Sequence, residues 1–355
     1  MSSKEEAKIA LDKIIEKSRV HLYKPIQIAE ILYHARTNKS LNLLDLESYR
    51  TKSKKWRDDI CFQLLGRVCT SSAKFQDNLF EENAIPPRLL NELGKENTKT
   101  NGAVEAYIYN SFLAKHSQLS NALKYCLNST SNNFYLKRFI DTFWNEPGLK
   151  RSLDKIYEII VYALFSTIVE TLDFRVKLSI DSDKIDILRE FEDFADKVMC
   201  IDCNHTTFIQ EARVFRVGVT NAADRGLDMY SNWGPAIQIK HLSLDVELAE
   251  NIVSSISSDK IVIVCKDAEK NIIVSLLSQI GWRSRIQSIV TENDLIDWYE
   301  KALRGKYSEN TSDMLLNTLR EEIAEEFPSV GAFPEVLQKR HYELLKDDFW
   351  GRTKN

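Results

Sequence analysis

The chain has 355 residues, 43% of them apolar, and a formal net charge of −4. That length predicts two domains, and that apolar share is enough for ordinary globular cores. The longest apolar run, Ile159 to Val169, still contains Ser166 and Thr167, well short of the roughly 20 residues a membrane span needs.

No opening segment resembles a secretory signal, and six cysteines in so long a chain do not describe a disulfide framework. A soluble protein of the reducing cytoplasm is expected. The charge is uneven. Residues 1–150 carry 23 Lys and Arg against 17 Asp and Glu, and the remainder carries 25 against 35. The first part can therefore supply a basic face for nucleic acid, and the second can supply carboxylates for a metal.

In chain order, residues 1–150 read as almost wholly helical. Ile9, Leu11, Ile14 and Ile15 recur at helical spacing, as do Ile26, Ile28, Ile31 and Leu32. Leu41 to Tyr49 predicts a short helix, and 55–70 an amphipathic one. Pro86 and Pro87 start the next. Gly94 to Gly102 reads as a loop, Ala103 to Leu127 as a long helix and Phe134 to Trp144 as another. Pro147-Gly148 marks a boundary. Ser152 is placed to cap a helix running to Leu172. Phe174 to Ile180 and Arg213 to Val219 alternate like half-buried strands, with a helix or long loop over 183–199 between them. Leu227 to Tyr230 and Ala236 to Leu242 predict two more strands around the turn Ser231-Asn232-Trp233-Gly234-Pro235. A helix over Asp245 to Ser254 precedes the buried strand Lys260 to Cys265. Ala268 to Ile280 reads as a helix, Ile286 to Val290 as a strand, Glu292 to Leu303 as a helix, and Thr311 to Leu345 as a helical tail. This order predicts an α/β protein with a mixed central sheet. The expected division is a helical domain over 1–148, for DNA contact, dimerisation or both, a catalytic core over 149–310 and a helical C-terminal extension over 311–355.

The chemistry concentrates in the two short strands. Asp228 ends the first, and Gln238-Ile239-Lys240 lies within the second. Side chains alternate along a strand, so Gln238 and Lys240 share one face while Ile239 turns to the core. A carboxylate, an amide and an ammonium converging on one spot suit a divalent metal, a phosphate and an attacking water. Magnesium prefers hard oxygen ligands. The Asp228 carboxylate, the Gln238 amide oxygen and the Ile239 carbonyl supply them, and Lys240 is placed to hold the water or the phosphate. Separately, Asp228 reads as a turn acid and Lys240 as an edge-strand charge. Their joint placement is what those readings leave unexplained.

This pattern resembles the PD-(D/E)xK nuclease superfamily, with Asp228 as the first acid, Lys240 as the lysine and Gln238 in place of the second acid. The resemblance implies a restriction-endonuclease-like core with added helices. It also implies a further carboxylate from the helix before the first strand, where Glu158 is the candidate and Glu170, nearer the helix end, the alternative; Glu211, just before the second strand, is a third. The runs Val217 to Met229, Gly234 to Leu242 and Ile261 to Ala268 are similar to the HaeII family of type II restriction endonucleases. That likeness covers about residues 150–310. It implies Mg²⁺-dependent cleavage of both strands of duplex DNA at a short palindrome, for which the family name suggests purine-GCGC-pyrimidine. It further implies a homodimer and a cognate DNA methyltransferase as functional partner.

Arg213, Arg216, Asn221, Asp224 and Arg225 lie near the motif as candidates for base contact, arginine being the best reader of guanine. Lys52, Lys54, Lys55 and Arg57 form the densest basic cluster and are candidates for phosphate contact. Cys200-x-x-Cys203 with His205 has half of a zinc pattern, but no second pair follows. Two other readings share the core: an Mrr-like, repair or resolvase nuclease, and a DNA-binding protein whose Gln238 marks lost catalysis.

Overall fold

The structure is a computed structural model. It describes residues 2–38, 41–69, 77–217, 227–256, 258–267, 285–331, 334–342, 345 and 347–351. These residues form two compact units. One holds the described residues of Met1–Ile156 and Arg320–Asn355, the other those of Tyr157–Val217 and Arg225–Leu319.

The first unit is helical. Its helices are α1 (Ser3–Lys17), α2 (Tyr23–Thr37), α3 (Arg50–Leu65), α4 (Pro87–Lys99), α5 (Ala103–Asn128) and α6 (Leu136–Asn145). Ser2 and Glu5 close a reciprocal capping box on α1. Pro87 opens α4 at the position where its missing N–H costs nothing. Two expectations change here. Leu41 to Tyr49 holds only a 3₁₀ turn at Leu46–Ser48, started by the Asp45 side chain accepting from the Glu47 N–H. Residues 94–99 belong to α4 rather than to a loop. Gly94 lies there because Leu43 packs onto its backbone. An added Cβ would stand 2.2 Å from Leu43 Cδ1.

Leu11, Ile28, Leu32, Leu93, Ile108 and Phe112 form the core of this unit, together with Leu337, Tyr342 and Trp350 from the C-terminal segment. Two buried histidines lie in the same unit. His21 Nε2 stands 2.9 Å from Arg67 Nη2, and burial with the Arg67 charge pushes the His21 imidazole down to about 3. Burial alone holds His116 down to about 4. Both are neutral when folded and take up protons near 6.5 when unfolded. The unfolded chain therefore binds more protons between about pH 6.5 and 4, and stability must fall as pH falls through that window. The expected slope reaches about 2.7 kcal/mol per pH unit where both differ. Denaturant unfolding at pH 7, 6 and 5 measures it, and His116→Phe should remove about half of the slope. An unchanged slope in that variant would discount the pair.

The second unit is mixed α/β. Its first helix is α7 (Leu153–Thr171). Ser152 does not cap it. Ser152 is buried in a 3₁₀ turn over Lys150–Ser152, and its hydroxyl has no partner among the described residues. Then follow β1 (Arg175–Ser179), α8 (Ile185–Glu190), α9 (Glu192–Met199), β2 (Thr207–Glu211), β3 (Val214–Arg216), β4 (Met229–Ser231), β5 (Ala236–Lys240), α10 (Val246–Ser255), β6 (Ile261–Cys265), β7 (Ile286–Thr291), α11 (Glu292–Arg304), α12 (Ser308–Glu326) and α13 (Glu335–Gln338). α7 begins in the first unit, which runs to Ile156, α12 ends in it from Arg320 on, and α13 belongs to it wholly. The expected helix over Ala268 to Ile280 lies outside the described residues.

Five strands form one sheet in the order β3-β4-β5-β6-β7, antiparallel from β3 to β5 and parallel from β5 to β7. This is the mixed sheet the sequence predicts. The strand expected over 174–180 does not join it. β1 pairs antiparallel with β2 in a separate two-stranded sheet. Phe208 of β2 packs on a small cluster of Leu188, Ala195 and Ile201 instead of on the main core. β6 is buried along its whole length, and Ala249 and Ile252 of α10 share its core. The Tyr157 hydroxyl of α7 donates to Glu292, and the Tyr299 hydroxyl of α11 donates to the Ile160 carbonyl at 2.9 Å. α7 is thereby anchored beside the C-terminal ends of β6 and β7. Among the described residues no helix is long and apolar enough to cross a membrane.

Candidate active site

The β4–β5 turn sets the site. Gly234 takes φ +123°, a conformation that costs glycine little, and the Ser231 N–H donates to the Pro235 carbonyl at 3.1 Å. The turn fixes Met229 opposite Ile237. One step along an antiparallel pair, Asp228 then faces Gln238. The Val217 N–H donates to the Asp228 carbonyl at 2.9 Å and holds that residue in line with β4.

Asp228 Oδ2 accepts the Ile239 N–H at 2.7 Å and the Gln238 Nε2–H. Gln238 is 2% exposed. With its amide nitrogen turned to Asp228, its Oε1 is buried and has no hydrogen-bond partner among the described residues. A buried acceptor left unsatisfied costs about 1–3 kcal/mol. An oxygen held in that state beside a carboxylate fits a hard cation. Among the described residues no three His, Cys, Asp or Glu side chains form a metal-ready group. A cation held here therefore draws on the amide and main-chain oxygens as well as on carboxylates. Lys240 ends β5 on the Gln238 face, half-exposed, beside Cys265 in the parallel register.

Two residues not singled out from sequence share this face. Phe215 pairs with Tyr230 across β3 and β4. Tyr230 lies two residues beyond Asp228, so alternation puts all three on one side. Both rings are exposed and stack with centroids 5.0 Å apart. The signal was the shared parity with Asp228.

The remaining candidates are dispersed. Glu158 is buried on α7, between the anchors Tyr157 and Ile160. Glu170 is exposed near the end of α7. Glu211 is exposed and ion-pairs with Arg213 at 2.7 Å. Arg216 stands opposite Met229, so alternation turns it to the other face of the sheet from Asp228. Asn221, Asp224 and Arg225 lie outside the described residues. In the helical unit, Lys52 and Lys55 are exposed on α3, while Lys54 is tied to Asp77 at 2.8 Å. Arg57 is 1% exposed. It donates to Gln27 Oε1 at 3.0 Å and to Asp58 Oδ1 at 2.7 Å. That guanidinium is committed to the fold, and its burial argues against a phosphate contact. Near the half zinc pattern, His205 Nδ1 pairs with Asp202 at 3.0 Å.

The sequence model of the HaeII restriction endonuclease family matches residues 7–342. The chain is 58% identical to the type II restriction enzyme HaeII of Haemophilus aegyptius, over 98% of this chain and 99% of that protein. It is 57% identical to the type II restriction enzyme NgoBI of Neisseria gonorrhoeae, over 97% of this chain and 99% of that protein. No solved structure matches it. These likenesses define the class: a type II restriction endonuclease, a hydrolase that cleaves duplex DNA site-specifically in restriction-modification. The chain belongs to the HaeII restriction endonuclease family. Type II restriction endonucleases generally use divalent metal ions. The Mrr-like, repair and non-catalytic readings give way to this one.

Proposed function

We propose that the chain cuts both strands of duplex DNA at a short palindrome, purine-GCGC-pyrimidine, with Mg²⁺ held on a PD-(D/E)xK-type core. The observation that carries the metal site is the buried, unpartnered Gln238 Oε1 beside a carboxylate that already takes two N–H groups. Asp228, Gln238, the Ile239 carbonyl and Glu158 hold the ion. Bound there, Mg²⁺ supplies charge for the phosphate oxygens and a more acidic water. Asp228 is positioned by the Ile239 N–H and the Gln238 amide. Lys240, on the same face, holds the attacking water or a non-bridging phosphate oxygen.

Glu158 is preferred over Glu170 and Glu211 on two grounds. It is buried, whereas the others are exposed. Its neighbour Tyr157 is bonded to Glu292, which follows Thr291. Thr291 aligns with Cys265, and Cys265 with Lys240. The anchoring of this helix at the end of the sheet that bears the lysine supports a carboxylate drawn from it. That carboxylate also replaces the negative charge that Gln238 lacks. The helical region 1–148 grips DNA, with Lys52 and Lys55 as phosphate contacts. Arg213, Asn221, Asp224 and Arg225 are the base-reading candidates. The catalytic part over 149–310 acts as one half of a homodimer, since a palindrome presents two equivalent scissile bonds. A cognate methyltransferase protects the host's own sites.

Unmethylated plasmid incubated with protein tests the reading. Discrete fragments with Mg²⁺ and none with EDTA are expected, with ends that map to purine-GCGC-pyrimidine. Smearing, or binding without cutting, would overturn it.

A further inference from the structure

We propose that the bare apolar face of α8 and α9 docks a second copy of this chain. This rests on the homodimer reading and gives that dimer a surface. Nine of the twenty exposed large apolar residues among the described residues fall within 172–209. Four of them form a stripe. Ile187, Phe191, Phe194 and Val198 are 52–63% exposed, and their spacing puts them within roughly 60° of one another at 3.6 residues per turn. The helical hydrogen bonds continue through the junction of the two helices. The Phe191 N–H donates to the Ile187 carbonyl, and the Ala195 N–H to the Phe191 carbonyl. Leu188 and Ala195, beside the stripe, are buried on the small cluster with Ile201. The helices thus carry apolar side chains beyond those this cluster covers.

The chemistry of the patch selects its occupant. Residues 172–209 carry 9 Asp and Glu against 5 Lys and Arg, so DNA phosphates are repelled. Four half-exposed side chains of this size present roughly 400 Å² of apolar surface. A stable interface buries about 800 Å² per partner, of which about 450 Å² is apolar. One stripe supplies nearly all of that, and a two-fold contact lays the same stripe against itself. Around it stand charges of both signs, with Arg189 ion-paired to Asp186 at 2.7 Å. β2 ends at Glu211 and β3 begins at Val214. β2, whose Phe208 packs on the cluster beneath the stripe, is therefore joined by a two-residue link to the edge of the sheet that bears Asp228. A dimer formed there fixes the separation of two catalytic sheets.

Sedimentation equilibrium of the full chain, across micromolar and submicromolar concentrations, tests this. The wild type should be a dimer. F191D/F194D should be monomeric at the same concentrations, with the dimer dissociation constant raised at least a hundredfold, and should nick supercoiled plasmid before linearising it. V198K, at a position 63% exposed, should weaken the dimer in the same direction. Unchanged circular dichroism and melting temperature show that the variants are folded. A monomeric wild type overturns the homodimer reading together with this surface. A dimeric wild type whose folded variants stay equally dimeric overturns the surface alone and assigns the stripe to another partner.

Discussion

Asp228→Ala is expected to lower DNA cleavage by about 10³-fold, the upper range for removing one preorganised electrostatic group. Duplex binding measured in Ca²⁺ or EDTA should stay largely intact. The carboxylate sits opposite the buried Gln238 and takes the Ile239 N–H at 2.7 Å. Alanine removes the proposed metal ligand and also strands those two donors, at about 1–3 kcal/mol. Asp228→Asn separates the effects, because its amide oxygen still accepts the Ile239 N–H while the charge is gone. It should be as inactive as the alanine variant but melt closer to the wild type. Lys240→Ala should be inactive as well, with its fold unperturbed because the side chain is half-exposed. Either Asp228→Ala or Lys240→Ala with full activity would remove the site from consideration. A site built from Gln238 also makes a narrower forecast. Gln238→Glu should trade the donor that now positions Asp228 for a second anion. That variant should need metal to bring the two carboxylates together, and its melting temperature should rise more on adding Mg²⁺ than that of the wild type.

The acid, turn and Gln-x-Lys were legible because strand alternation is local. Two residues on β5 share a face whatever the rest of the chain does, and the turn from Ser231 to Pro235 sets the register that brings Asp228 opposite. The parallel strand β6 was legible for the same reason, as a continuous apolar run bounded by polar residues. The separate pairing of β1 with β2 was not. Thr207–Glu211 holds only Phe208 and Ile209 as apolar residues, too little alternation to mark a strand. Where a short, half-exposed strand finds its partner depends on what it packs against. Gly94 misled because glycine is read as a breaker, while its place in α4 answers to Leu43, distant in sequence. Arg57 misled because a basic cluster is read as solvated. Its guanidinium instead lies under the fold with Gln27 and Asp58.

The largest stability effect is expected in the helical unit, at charges whose partners the sequence did not disclose. Glu30 accepts Arg340 Nη1 at 2.6 Å and Nη2 at 2.9 Å, and it also accepts the Tyr109 hydroxyl. Nearby, Glu105 is fully buried. It takes Arg36 Nε at 3.0 Å, Asn97 Nδ2 at 2.5 Å and the Tyr342 hydroxyl at 2.6 Å. Tyr109 and Tyr342 stack at 5.5 Å and join the two halves. Arg340 and Tyr342 belong to the C-terminal segment, so this network clasps that segment onto α2 and α5. A buried pair that loses one member leaves an uncompensated charge, which costs about 3–5 kcal/mol. Arg340→Met should incur that cost and lower the melting temperature by about 10 °C. Arg340→Lys should recover little, since an ammonium cannot make the two-pronged contact. The double variant Glu30→Gln/Arg340→Met should regain part of the loss, because no buried charge is then stranded. A double variant no more stable than Arg340→Met would show instead that the arginine holds the segment by packing over the Tyr33 ring, 3.8 Å away. In that case the C-terminal clasp is an aromatic contact, and Glu30 is a passenger in it.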